Sequence, residues 1–184
     1  MKHYFLFLFA LFPLLHFSQP NTEIFLFDLN IKNGTFKLSN MKNISNNEGY
    51  DNQPSFLDDN TILFASTRKG QTDIVKYNIN YDSKIFINHT KGSEYSPLKI
   101  PNQNAVSAIR LEKDGKQALY KYSLKNGESE VLIDDIVIGY HVWYSENLLT
   151  SSVLEDGGLS LYVTNFQEQE NYKFDSKIGR SLHK

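Results

Sequence analysis

The sequence predicts an all-β chain made of repeated four-stranded sheets, and three observations carry that prediction. From Glu23 onward the apolar residues fall in short alternating runs, with no stretch at i, i+3, i+4 and i+7 long enough to pack a helix. Turn signals separate the runs: Asn33-Gly34, Asp114-Gly115, Asn126-Gly127 and Asp156-Gly157-Gly158, with Lys69-Gly70 in the same role, supply the positive φ that tight hairpins require. Two elements then repeat together. Alternating strands align at Ile24, Ile74, Leu119 and Leu161, separated by 50, 45 and 42 residues. A turn leading into a short strand recurs at Tyr95-Ser96-Pro97, Tyr140-His141-Val142 and, more weakly, Arg180-Ser181-Leu182, separated by 45 and 40. A period of about 40–50 residues holding four strands is that of β-propeller blades.

The elements can be placed in order. Glu23 to Leu29 reads as a third strand and Thr35 to Ser39 as a fourth, so the chain opens on half a blade. The first full blade comprises Gln53 to Leu57, Thr61 to Ser66, Asp73 to Ile79 and Lys84 to Asn88, opened by the segment Tyr50 to Phe56. The second comprises Tyr95 to Ile100, Ala105 to Glu112, Gln117 to Leu124 and Ser129 to Ile133. The third comprises Tyr140 to Tyr144, Leu148 to Glu155, Leu159 to Asn165 and Glu170 to Phe174, and Arg180 to Lys184 reads as the opening of another first strand. Rings of this kind commonly assemble one blade from both chain ends, which removes an exposed sheet edge. About three complete blades flanked by partial ones therefore predict a fragment of a ring of roughly six blades. The same pattern admits an open module of three to four blades that pairs with a second copy.

Composition narrows the function classes. The 184 residues carry a formal net charge of -2 with the basic residues scattered, so no stripe is available to neutralise a run of phosphates and no nucleic-acid partner is expected. The absence of cysteine removes disulfide frameworks, thiolate metal sites, thiol nucleophiles and lipidated-cysteine anchors together. Met1 to Phe17 (MKHYFLFLFALFPLLHF) combines Lys2 with an apolar run from Tyr4 to Leu15, too short for the roughly 20 residues a membrane span needs. The segment reads as a signal peptide over residues 1–18, cleaved near Ser18 or Gln19, with an uncleaved anchor as the alternative. Residues 19–184 are then a partial propeller domain, periplasmic or secreted, with no stable membrane span after cleavage.

The stretch Asn43 to Ile79 (NISNNEGYDNQPSFLDDNTILFASTRKGQTDIVKYNI) resembles the WD-like repeats of TolB-type β-propellers. A Pro-containing first strand, a polar corner, the strand ILFAS, an Arg-Lys-Gly turn and an Asp-Ile strand ending in an aromatic follow one another as in that family. The motif is sharp in the first full blade and blurred afterwards: Asp58-Asp59-Asn60 stands for the usual Pro-Asp-Gly, and the third blade has Trp143 to Asn147 at that corner. The resemblance implies a secreted or periplasmic propeller of about six blades that acts as a protein-interaction module of the cell envelope. Fold alone does not fix function, because propellers also host catalysis.

No residue pattern announces chemistry. The GxSxG elbow, HExxH and glycine-rich phosphate loops are missing, and His89, His141 and His183 have no partners at metal-ligand spacing, so no catalytic residue, metal or cofactor is expected. The candidate site is positional instead. Loops that lead into the innermost strand of each blade face one another around the mouth of the central channel, and here they carry Tyr50, Asp51 and Gln53, then Glu94 and Tyr95, then Tyr140 and His141, then Arg180. Aromatics with polar handles beside carboxylates and an arginine suit recognition of a protein or peptide. Packing of the three tyrosines between blades, with Asp51 and Glu94 capping local turns, is the structural alternative. A propeller glycosidase, or the gating domain of a peptidase, is the catalytic alternative, with Asp51 and Glu94 as its carboxylates. Sequons stand at Asn33, Asn43 and Asn88.

Overall fold

The computed structural model describes residues 21–184, and the leader expected over residues 1–18 lies outside the described residues. Fourteen strands and no helix occupy the described residues. β1 (Phe25–Lys32) and β2 (Thr35–Asn43) form a hairpin. β3 (Asp51–Asp58), β4 (Thr61–Arg68), β5 (Gln71–Asn78) and β6 (Ser83–Phe86) form the first four-stranded antiparallel meander. β7 (Ser93–Lys99), β8 (Ala105–Leu111), β9 (Gln117–Ser123) and β10 (Ser129–Ile133) form the second. β11 (Ile138–Trp143), β12 (Leu148–Glu155), β13 (Gly158–Asn165) and β14 (Glu170–Ser176) form the third. The expected order of half a blade followed by three complete ones is what the chain adopts.

The turns obey backbone sterics. Asn33 and Gly34 have φ of 50° and 74°, and Lys69 and Gly70 have 52° and 78°, so both two-residue loops carry the double positive φ that matches strand twist. In Asp156-Gly157-Gly158 the positive φ falls on Gly158 alone. Gly127 is doubly constrained, because its φ is 73° and a Cβ there would lie 2.2 Å from the Ile87 carbonyl oxygen.

The core sits between sheets, and period-two alternation divides each central strand between two interfaces. On β4, Ile62 and Phe64 pack toward the hairpin with Ile24, Ile44, Val75 and Tyr77, while Leu63 packs toward the second sheet. On β8, Val106 and Ala108 face the first sheet and meet Leu63 and Tyr122, whereas Ala105 and Ile109 face the third and meet Trp143 and Leu149. Central strands are thus buried on both faces and outer strands are exposed: the burial of β4 is nearly continuous, that of β14 nearly absent. The hairpin leaves Leu29, Ile31, Phe36 and Leu38 exposed on strands that pair only with each other.

Several sequence expectations shift, with β7 starting at Ser93 rather than Tyr95 and β11 at Ile138 rather than Tyr140. β3 begins at Asp51 rather than Gln53. β6 stops at Phe86, because Asn88 leaves the ladder to make buried side-chain hydrogen bonds. Arg180 to Lys184 forms no strand; the Ser152 hydroxyl donates to the carbonyl of Gly179 just before it at 3.3 Å, and Lys184 Nζ donates to the Tyr144 carbonyl. Among the described residues no helix is long and apolar enough to cross a membrane.

Candidate functional site

The innermost strand of each sheet is bent by a bulge, and the bulges build the candidate site. In β3 the register jumps between Asn52 and Ser55, in β7 between Tyr95 and Leu98, and in β11 between Ile138 and Tyr140. Gln53 and Ser96 occupy equivalent bulge positions with φ of 57° and 52°, each directly before a proline, Pro54 and Pro97. The following proline disfavours the right-handed helical region, and a non-glycine residue in the left-handed region stores about 1–3 kcal/mol. Cross-sheet bonds hold it there: the Ser96 N–H donates to Gln53 Oε1 at 2.8 Å and the Ser55 hydroxyl to the Pro97 carbonyl at 2.6 Å.

The same bends gather the tyrosines. Tyr50 and Tyr95 meet edge to face, with ring centroids 6.2 Å apart. Burial first, and then the neighbouring Tyr95 and Tyr140, raise the ionisation point of the Tyr50 hydroxyl. A cavity of about 410 Å³ opens beside them, walled by Gln53, Tyr95, Gln117, Tyr140, Glu155 and Arg180. A second, of about 430 Å³, shares Gln53, Tyr140 and Arg180 with the first and adds Pro97, His141 and His183. Both are within the size range of ligand pockets.

Of the sequence-predicted residues, the structure brings Gln53, Tyr95, Tyr140 and Arg180 together around these cavities and sets Tyr50 against Tyr95. Three others turn inward. Asp51 is buried, and desolvation raises its carboxyl in spite of hydrogen bonds from Ser66 and Asn47. Glu94 is 0% exposed, and its carboxyl accepts from Asn88 Nδ2 at 2.6 Å, from the Tyr122 hydroxyl at 3.0 Å and from the Thr90 hydroxyl. Desolvation pushes it up to about 6 against those three bonds, and buried Asp73 adds like charge. Asn88 also approaches Asp73, whose carboxylate is held by Arg68 at 2.7 Å. This network joins the first and second sheets; it does not face the cavities.

His141 is the third. It lines the second cavity with its ring nearly buried, and its Nε2 lies 2.8 Å from the Ser107 hydroxyl oxygen, which is also 2.8 Å from Trp143 Nε1. An indole N–H can only donate, so the serine oxygen accepts from Trp143, and the Ser107 hydroxyl also lies 3.4 Å from the Leu98 carbonyl, to which it can donate. His141 Nδ1 is buried with no hydrogen-bond partner among the described residues. Desolvation lowers the imidazole to about 3 and keeps it neutral.

Gln117, Glu155, Ser107 and Asn88 were not singled out from sequence as site or network residues. Gln117 and Glu155 begin or end second- and third-position strands, where alternation marks them only as strand ends. Asn88 carried a signal, but as a sequon; its buried amide is fully engaged with Ile74, Asp73 and Glu94.

Comparison with solved structures bears on this geometry. TolB from Acinetobacter baumannii superposes with a TM-score of 0.63 at 13% identity, over 84% of this chain and 41% of that one. The chain is a β-propeller in part. An oligogalacturonate lyase in complex with manganese matches with a TM-score of 0.60 at 14% identity, over 78% and 41% of the two chains. A Mycobacterium tuberculosis puromycin-hydrolyzing peptidase matches at 0.54 and 8% identity, over 83% and 24%. The chain spans less than half the length of each of these structures. No protein-family model matches the sequence, and no curated protein does. At these identities the likeness shows the propeller fold, which TolB, a lyase and a peptidase share.

Proposed function

We propose that this propeller is a non-catalytic module that binds a protein or peptide segment at its channel mouth, in the periplasm or outside the cell, as a binding or scaffolding part of the envelope. The observation that supports it is the convergence of Gln53, Tyr95, Tyr140 and Arg180, from all three full sheets and the segment after them, on two adjoining cavities. Tyrosine contributes broad apolar area and a hydrogen bond while losing little side-chain entropy, and arginine and tyrosine are enriched at protein interfaces. Two strained bulges, fixed by bonds between neighbouring blades, hold this surface in shape before a ligand arrives. The apolar leader Met1 to Phe17 supports the location.

The non-catalytic part rests on where the carboxylates lie. Asp51 and Glu94 are enclosed, and the carboxylate in the cavity wall, Glu155, accepts from Lys173 at 2.6 Å, Ser160 at 2.6 Å and Tyr162 at 2.8 Å. Those bonds hold Glu155 down to about 2, the opposite of what a general acid needs. The test is co-purification of partners from an envelope extract with the full-length protein carrying Tyr95→Ala and Arg180→Ala. Capture should fall with the thermal midpoint nearly unchanged; undiminished capture would remove the channel mouth from the account.

A further inference from the structure

The polar side chains that converge at the mouth, Gln53, Tyr95, Tyr140 and Arg180, can each donate a hydrogen bond. Gln53 Oε1 is committed to the Ser96 N–H, and because a backbone N–H can only donate, the amide orientation is fixed with Nε2 as the group left over. Several tyrosine hydroxyls elsewhere are engaged, Tyr122 with Glu94, Tyr162 with Glu155 and Tyr172 with Glu168 and Glu170. Those of Tyr95 and Tyr140 have no hydrogen-bond partner among the described residues. Arg180 is exposed, lines both cavities and forms no ion pair among the described residues. The carboxylates that sequence placed beside it do not compensate it: Asp51 and Glu94 are buried, and Glu155 is neutralised by Lys173.

Resting on the peptide-binding reading above, we infer that the mouth selects an acidic peptide, with a ligand carboxylate seated between Arg180 and the Tyr95, Tyr140 and Gln53 donors. A carboxylate accepts several hydrogen bonds in one plane and forms a forked pair with guanidinium, which suits one arginine flanked by neutral donors. The two adjoining cavities then take the residues on either side of the acid, against the tyrosine rings and the Pro97 wall. The carboxylate can belong to an aspartate or glutamate side chain or to a peptide C-terminus, since the site reads the group they share.

Selection from two random dodecapeptide libraries against the immobilised full-length protein tests this, one library displayed with free N-termini and the other with free C-termini. Enrichment of aspartate and glutamate in the first points to side-chain carboxylates; enrichment confined to the second points to the terminal one. For a synthetic copy of a selected acidic peptide, Arg180→Ala should weaken binding at least tenfold, Arg180→Lys less, and replacement of the acid by its amide as much as Arg180→Ala. Arg180 is exposed, so these variants keep the fold, which an unchanged melting temperature verifies. Selected peptides that are neutral or basic yet lose binding on Tyr140→Ala would overturn the acidic preference and leave the peptide-binding reading intact. No enrichment from either library, or an acidic oligosaccharide binding where no peptide does, would overturn both.

Discussion

Glu94 makes the stability of this propeller depend on pH in a direction opposite to that of most carboxylates. The native structure holds its carboxyl at about 6 against an ordinary 4.5, because desolvation outweighs bonds from Thr90, Tyr122 and Asn88. With the folded value above the unfolded one, the folded protein binds the proton more tightly, so the contribution is fully present below about pH 4.5 and is lost as pH rises through about 6. At 1.36 kcal/mol per unit, the rise amounts to about 2 kcal/mol. Total stability is a poor readout, since Glu23, Asp58 and Glu155 have lowered values and act in the opposite sense. The informative quantity is the difference between wild type and Glu94→Gln in urea unfolding, at about pH 4, 5, 6 and 7. The advantage of wild type over the variant should shrink by about 2 kcal/mol between the two ends of that range. A difference flat to within about 0.5 kcal/mol would show that Glu94 titrates normally and is not held desolvated in a network between the first two sheets.

Three other outcomes follow from the packing. Ser107→Ala leaves both the Trp143 N–H and His141 Nε2 without partners and should cost about 2–6 kcal/mol in urea unfolding, at roughly 1–3 kcal/mol per orphaned buried group. Gly127→Ala meets both a positive φ and a carbonyl oxygen and should destabilise by more than about 2 kcal/mol, whereas Gly115→Ala, with a φ of 91° and open space around it, should cost only about 1 kcal/mol. Expressed in a host that glycosylates sequons, the protein should carry glycan at the exposed turn residue Asn33 and none at Asn88, whose buried amide is spent on Asp73, Glu94 and Ile74; peptide mass mapping distinguishes the two.

The blades were legible because two signals agree. Alternation in segments such as Asp73 to Ile79 marks strands, and dipeptides such as Asn33-Gly34 and Lys69-Gly70 mark turns whose φ values the structure reproduces. The 45-residue repeat linking Tyr50, Tyr95 and Tyr140 located the mouth, and the rings do gather there. Whether a side chain near a strand start faces the channel or the neighbouring sheet was not legible, since one register step reverses the direction and the bulges shift that register. Glu94 and Tyr95 are adjacent, yet one enters the network between sheets and the other the cavity wall. His141 follows Tyr140 in the same way and ends against Ser107, which lies 34 positions from His141 and 36 from Trp143, its other partner. Neither Pro54 nor Pro97 revealed that the residue before it adopts a left-handed backbone.

The central claim is that recognition happens at the mouth, and site-specific photocrosslinking in the native host tests it most directly. A benzophenone side chain replaces Tyr140, which borders both cavities, or Tyr172, an exposed residue on the outermost strand of the same sheet. Binding at the mouth predicts a discrete protein adduct from position 140 and none from position 172. Equal adducts from both positions, or an adduct from 172 alone, would contradict it.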